Sequence, residues 1–263
     1  MAIADVAVST TAKEEAVTTD LSFRFVFFGL ALLSVIMLAA RAYQGAYAWE
    51  TGLDSFHPDF HKYWMNLFYA EIIIVPLVAG CLWTWQWRTR DRHPEQMTAR
   101  EEVRRIFNQF VWFSSYVFSL YWAASFFPEG DATWHQTVVR DSSLTPSHIV
   151  LFYLAFPTYI VLGIGAHLHA MTRLPHMYNL KRWSFPLLIA VLAPFLMFPN
   201  IGFNEWGHTF WVMEELFIAP LHWGFVVFAW AALAFGGITA QLISRVVEVV
   251  RQDAKPGVLK QDS

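Results

Sequence analysis

Long apolar runs alternate with short polar segments along almost the whole chain. Six runs approach or reach the roughly 20 residues that a helix needs to cross a bilayer. Their approximate bounds are 25–40, 63–87, 106–127, 149–171, 183–198 and 216–243. A chain segment that crosses lipid must form its backbone hydrogen bonds internally, as a helix does. The pattern therefore predicts an all-α fold, a polytopic transmembrane helix bundle of about six spans. A seventh span would require the aromatic stretch 43–49 to enter the membrane.

The basic residues are distributed unevenly between the two sides of these spans. Of the 18 lysines and arginines, 15 lie in the N-terminal tail, the segments 88–105 and 173–182, and the C-terminal tail. The other three are Arg41, Lys62 and Arg140. Because short cytoplasmic loops collect lysine and arginine, this bias predicts that both termini are cytoplasmic.

Composition agrees with a single membrane domain. The chain is 56% hydrophobic and 15% charged, whereas charged residues make up about 25% of a typical soluble domain. We therefore expect a flexible cytoplasmic tail over 1–24, one transmembrane domain over 25–243 and a cytoplasmic tail over 244–263. The net charge of −3 gives no reason to expect a nucleic-acid partner. The single cysteine, Cys81, excludes a disulfide or a cysteine-based metal site within the chain.

The third polar segment, predicted to face the non-cytoplasmic side, contains a group of metal-ligand residues. Asp131 and His135 are four residues apart, which places them on one face of a helix. His148 follows where the fourth span begins, and Thr145 and Pro146 before it are typical of a helix start. The chain can fold back there and bring His148 toward the other two side chains.

A second group on the same predicted side repeats this pattern. Asn204 and His208 are four residues apart, and His222 follows at the start of the last span. Two imidazoles and one oxygen ligand suit a divalent transition metal, and copper has the highest intrinsic affinity of those available. Because Asp131 is charged and Asn204 is not, we expect the first group to hold a divalent cation more tightly.

Other interpretations of these residues are open at this level. Histidines at a membrane surface are often hydrogen-bonding residues without a metal. Two haems held by histidines on one helix are disfavoured, because charged residues and prolines separate each pair. Asp54, His57 and His61 have helical spacing and form a weaker candidate for a third site. Glu71 lies within a span, so it must face protein or a cavity.

Three segments together resemble a known family. They are GLDSFHPDFHKYWM (52–65), DATWHQTVVRDSSLTPSH (131–148) and PNIGFNEWGHTFWVMEELFIAPLHWGF (199–225). They are similar to the C subunit of the copper membrane monooxygenases, which include particulate methane, ammonia and short-chain hydrocarbon monooxygenases. The resemblance extends from about residue 40 to 240.

The resemblance implies an enzyme that inserts one oxygen atom from O2 into a small substrate with the help of copper. It implies A and B subunits as partners, a trimer of such heterotrimers, and a bacterial inner or intracytoplasmic membrane with the metal sites toward the periplasm. A quinol or other membrane reductant would supply electrons. The implied metal ligands form two sets, Asp131, His135 and His148 and then Asn204, His208 and His222.

The two implied sites can be given different roles in the enzyme, and two non-enzymatic functions are alternatives for the whole chain. Many aromatic residues surround Asn204, so that group is the better candidate for oxidising an apolar substrate. The alternatives are a scaffold subunit without chemistry of its own and a metal transporter. Methane, short alkanes and ammonia are all compatible with the motifs, although the segment 52–65 is closer to the methane-type proteins.

Overall fold

A computed structural model describes residues 24–137, 144–178, 184–192 and 214–253. These residues form helices and connecting turns, and they contain no β-strand. We number seven helices in chain order: α1 Arg24–Thr51, α2 Asn66–Arg88, α3 Ala99–Tyr121, α4 Phe127–Thr137, α5 Phe156–Arg173, α6 Phe185–Leu192 and α7 Glu214–Asp253. Shorter helical turns cover Pro58–Phe60, Pro94–Gln96 and Pro146–His148.

Three π-helical segments connect these helices into longer rods. His61–Met65 leads into α2, Trp122–Phe126 joins α3 to α4, and Ile149–Ala155 leads into α5. A wide helical turn changes the direction in which the following side chains point, and such turns are frequent near functional sites. All three lie toward the end of the bundle that holds Asp131, which we call the Asp131 end. The opposite end, with Arg88 and Arg173, is the Arg105 end.

The predicted helical membrane bundle is confirmed. Five helical stretches within the described residues are long and apolar enough to cross a membrane: Val26–Thr51, Pro58–Arg88, Ala99–Asp131, Pro146–Arg173 and Ala232–Gln252. The predicted fifth span, 183–198, is represented by α6 alone, and its other residues fall largely outside the described part of the chain.

The first predicted span ends too early at residue 40. In the structure α1 continues to Thr51 and carries the aromatic stretch 43–49 in its last turns. Arg41 does not end the helix, because its guanidinium packs over the Phe126 ring at 5.5 Å and against Gly130. That side chain is therefore accommodated between helices, and no seventh span arises from this stretch.

Helices α3 and α5 form the centre of the bundle. Gly163 allows them to approach closely, since a Cβ atom there would lie 2.8 Å from the Tyr116 ring. Tyr116 and Tyr159 are fully buried in the same apolar core, to which α1 and α7 contribute Met37 and Ile238. Most side chains of α1 and α2 point away from this core, so these two helices lie at its periphery.

Charged side chains join the helices at the Arg105 end. The Glu102 carboxylate accepts hydrogen bonds from Arg245 at 2.7 and 3.1 Å, which ties α3 to α7. His176 lies 3.3 Å from the same carboxylate. Arg105 contacts Asp91 at 2.5 Å; partial burial disfavours the charged carboxylate, but the bond and charge of Arg105 lower the pKa of Asp91 overall.

Candidate metal centre

Helix α4 presents the first candidate ligands. Asp131 lies in its second turn, and His135 follows one turn later on the same helix. The Asp131 side chain is almost completely buried although it is an acid. The backbone of His135 is described and its side chain is not. The predicted helical spacing of Asp131 and His135 is therefore confirmed at the level of the backbone.

A short turn places the third candidate ligand. Thr145 caps the helical turn Pro146–His148, because its side-chain oxygen accepts the His148 N–H at 3.3 Å and Pro146 occupies the first helical position. Both features stabilise a helix start, since proline lacks the N–H that would remain unbonded there. The predicted helix start before His148 is confirmed.

The fold brings Asp131 and His148 together. Nε2 of His148 lies 3.3 Å from Oδ1 of Asp131, and the two side chains are 0% and 5% exposed. Two ligands of one tetrahedral metal, with bonds of about 2.0–2.1 Å, lie about 3.3–3.4 Å apart. The observed separation is that of two ligands of a shared divalent ion, and it is also that of a direct contact between carboxylate and imidazole. The donor set of one carboxylate and one imidazole nitrogen is compatible with a transition metal.

The rings and backbone around His148 restrict its position. The Phe152 ring stacks on the imidazole with centroids 4.5 Å apart. From α1, the Gln44 side chain donates a hydrogen bond to the Pro146 carbonyl at 3.1 Å. A ligand held in this way loses little conformational freedom when it binds a metal. The contribution of α1 was missed from the sequence because the predicted span ended before Gln44.

A cavity of about 240 Å³ lies beside the candidate ligands. It is bounded by α1, by α4 and by the turn before His148, and it is partly open to the surface. Two polar atoms in its lining residues, Nε1 of Trp134 and Oε1 of Gln44, are buried without a hydrogen-bond partner among the described residues. The Asp131 end thus combines close packing with polar groups that this part of the chain does not satisfy.

The second predicted group is not tested by the structure. Asn204 and His208 lie outside the described residues. The backbone of His222 belongs to α7, but its side chain is likewise outside the described part. These three residues remain a prediction.

The weaker third candidate does not assemble. Asp54, His57 and His61 are all described, yet no group of three His, Cys, Asp or Glu in the described part of the chain is arranged to hold a metal. His57 instead caps a helical turn, because its Nδ1 accepts the N–H of Asp59 at 3.2 Å. Helical spacing alone was misleading here, since the chain turns between Asp54 and His57.

Comparison with known protein families accounts for nearly the whole chain. A family model that describes the C subunit of ammonia monooxygenase and methane monooxygenase matches residues 6–253. The chain belongs to this family. Comparison with curated proteins gave no match. As a member of this family, the protein is a membrane-embedded subunit of a monooxygenase, which is an oxidoreductase with further subunits. The predicted family is confirmed.

Proposed function

We propose that this subunit binds copper and takes part in the insertion of one oxygen atom from O2 into a small substrate. The observation that carries the proposal is the buried contact of His148 with Asp131 at metal-sharing distance. Burying a carboxylate and an imidazole away from water costs desolvation free energy, which a bound metal ion would offset. Copper is favoured because it has the highest affinity for such ligands among first-row divalent ions.

The surrounding residues support this assignment. Asp131 and His148 lie near one end of apolar helices, where a small hydrocarbon that dissolves in lipid can approach. Asp131 supplies negative charge, and the Phe152 ring on the imidazole restricts its rotation. His135 would complete the set from the next turn of α4. When bound, copper would supply one-electron transfer at this site.

The second set, Asn204, His208 and His222, is proposed as the site of substrate oxidation. Its oxygen ligand is neutral, so the site would carry less negative charge than the Asp131 set. Replacement of Asn204 by Ala is expected to abolish oxidation while the complex still assembles. Retained oxidation in a fully assembled variant would assign the chemistry elsewhere.

The assembly follows from the same proposal. The subunit would pair with A and B subunits, and three such heterotrimers would form the complex. The exposed apolar faces of α1 and α2 suit lipid or neighbouring subunits. The bias of basic residues supports a cytoplasmic position for both termini and for the two tails, 1–24 and 244–263, in a bacterium. The metal sites would then face the periplasm, and a quinol is the proposed reductant.

Oxygen consumption by isolated membranes tests the proposal. Membranes with the complete complex are offered methane, butane and ammonia in turn, and product formation is measured with O2 uptake. The proposal is supported if substrate-dependent O2 uptake is lost in Asp131→Ala and His148→Ala. The control is Asp54→Ala, which removes an exposed acid outside the ligand set and should keep the uptake. Full activity in all three variants would instead support a scaffold role for this subunit.

A further inference from the structure

Two tryptophan rings connect the Asp131–His148 pair to the protein surface. Trp134 lies three residues after Asp131 on α4, so the two side chains are neighbours on the helix. It belongs to the same buried cluster as Ile149, the residue after His148. The ring of Trp49, from α1, lies on Trp134 with centroids 5.0 Å apart and planes inclined by 30°. Contact at this distance permits direct electron transfer between the rings.

The two indoles differ in access to water. Trp134 is 4% exposed, and its Nε1 is buried without a hydrogen-bond partner among the described residues. Trp49 is 47% exposed. Both line the 240 Å³ cavity described above, and that cavity opens to the surface. Trp49 lies two residues before the end of α1 and of the candidate span Val26–Thr51, so we place its ring at the membrane–water interface. No described side chain accepts the Nε1 proton of Trp134.

This difference gives electron transfer a direction. An indole that loses an electron becomes an acidic cation radical, and it is stabilised when it releases its N–H proton. The Trp134 cation radical lacks a neighbouring acceptor for that proton among the described residues, and an unpaired charge in a buried site is costly. The Trp49 radical can give its proton to water. An oxidising equivalent on Trp134 is therefore more stable after it moves outward to Trp49.

We propose that Trp134 and Trp49 form a relay that carries oxidising equivalents away from the metal centre, a role that rests on the function proposed above. With peroxide as the oxidant and no substrate bound, copper held by Asp131 and His148 would accept one electron from Trp134. Trp134 regains it from Trp49, which releases its Nε1 proton to water and becomes a neutral radical. A soluble donor of the ascorbate class returns one electron and one proton to Trp49.

The relay would protect the ligands of the Asp131–His148 site from oxidation. Without it, an oxidant that found no substrate would react with the nearest oxidisable groups, the imidazole of His148 and the buried indole. The relay moves the damage to a side chain that reductants in solution can reach. Trp64, in the same cluster, is less suited to the outer position because it is fully buried and donates its Nε1–H to Thr51.

Peptide mass spectrometry tests where oxidising equivalents go. The intact copper-loaded complex is treated with limited peroxide in the absence of substrate and ascorbate. In the wild type, oxidation products are expected first on Trp49. In Trp49→Phe, oxidation of Trp134 and His148 should increase several-fold, and Trp49→Tyr should restore much of the protection because phenol can be oxidised. The control Trp85→Phe removes another exposed tryptophan, on α2 near the Arg105 end, and should change nothing.

A photochemical arm separates this inference from the proposed function. Thr133→Cys, in a Cys81→Ala background, carries a ruthenium photo-oxidant beside the cavity, and transient absorption follows the radical after flash-quench oxidation. No copper is needed. A deprotonated indole radical should form, and its yield should fall about tenfold in Trp49→Phe. An equal yield in that variant, or a radical on Tyr47 or Tyr63 instead, overturns the relay even if copper is bound. Radical transfer to Trp49 in a complex that takes up no copper when copper is offered would refute the proposed function and leave the electron-transfer path standing.

Discussion

Buried charged side chains have different partners at the two ends of the bundle. At the Arg105 end, Glu102 is bonded to Arg245 and lies beside His176, so one carboxylate faces two basic groups. At the Asp131 end, Asp131 and His148 are buried more deeply. Near them, Trp134 and Gln44 keep polar atoms that no described residue satisfies.

We interpret the buried polar groups at the Arg105 end as structural and those at the Asp131 end as functional. The Arg105 end joins α3 to α7 by ion pairs within the chain, which explains the burial of Glu102. The Asp131 end places an acid and an imidazole at the separation of two metal ligands, in a wall stiffened by stacking and a backbone hydrogen bond. Buried polar atoms without a described partner occur at both ends, for example Oε1 of Gln44 at one and Oε1 of Gln86 at the other, so the contrast rests on the Asp131–His148 pair.

Metal content should show the largest contrast between the two ends. His148→Ala removes a proposed ligand, so we expect the copper of that site to be lost from the purified complex. The decrease in affinity should exceed the roughly 10–100-fold that loss of an outer-shell partner costs. Glu102→Ala, at the other end, should leave the copper content unchanged. Elemental analysis per complex measures both, and equal copper in the two variants would remove the proposed distinction.

Stability should show the opposite contrast. Glu102→Ala leaves the partly buried Arg245 guanidinium without its buried carboxylate partner, and breaking such a pair costs about 3–5 kcal/mol where burial is complete. We expect about 2–3 kcal/mol here because Arg245 is partly exposed. Glu248→Ala removes an exposed partner of the same arginine and should cost less than about 1 kcal/mol. Thermal dissociation of the complex compares the two, and equal losses would show that burial does not matter.

Two buried glutamines offer a matched pair of smaller changes. Gln44 donates to the Pro146 carbonyl at the Asp131 end, and Gln86 donates to the Gly165 carbonyl at the Arg105 end. Either change to Ala removes a side-chain hydrogen bond to a backbone carbonyl, at a cost of about 0.5–1.5 kcal/mol. Only Gln44→Ala loosens the turn before His148, so it alone should weaken copper binding, by about tenfold. A copper titration that gives the same affinity for both variants would contradict this.

The smallest expected effect concerns pH. The folded pKa of Asp91 is lowered by Arg105 despite the opposing effect of burial. The pair therefore contributes stability above the unfolded pKa of about 3.9, and the contribution is lost as pH falls through the lower folded pKa. Asp91→Asn should reduce stability at neutral pH and converge with the wild type in strong acid. A constant difference in stability across that range would assign the loss to shape rather than charge.

Helix content and the ligand-bearing elements could be predicted from the sequence, whereas the walls of the site could not. Apolar runs identify membrane spans because a backbone in lipid must form all its hydrogen bonds internally, as a helix does. Thr145 and Pro146 identify the start of the turn before His148. Gln44, however, reaches that turn from a helix 102 positions away in sequence. Such a contact depends on packing, which local periodicity does not contain.

The boundary error in the first span has a specific physical cause. Arg41 resembles a membrane-edge residue because arginine is costly in lipid. In the folded chain it lies against Gly130 and the Phe126 ring, so the helix passes it without interruption. A charge that another helix accommodates does not mark the end of a span. Conversely, Glu71 was predicted to face protein or a cavity, and its burial in the bundle confirms this.

Pulsed electron paramagnetic resonance of Cu(II) in intact membranes tests the central claim most directly. The method detects nitrogen nuclei of imidazoles bound to the metal. We expect imidazole couplings in the wild type that diminish in His148→Ala and remain unchanged in the control His176→Ala at the Arg105 end. An unaltered nitrogen signal and copper content in His148→Ala would show that the buried Asp131–His148 pair does not bind the metal.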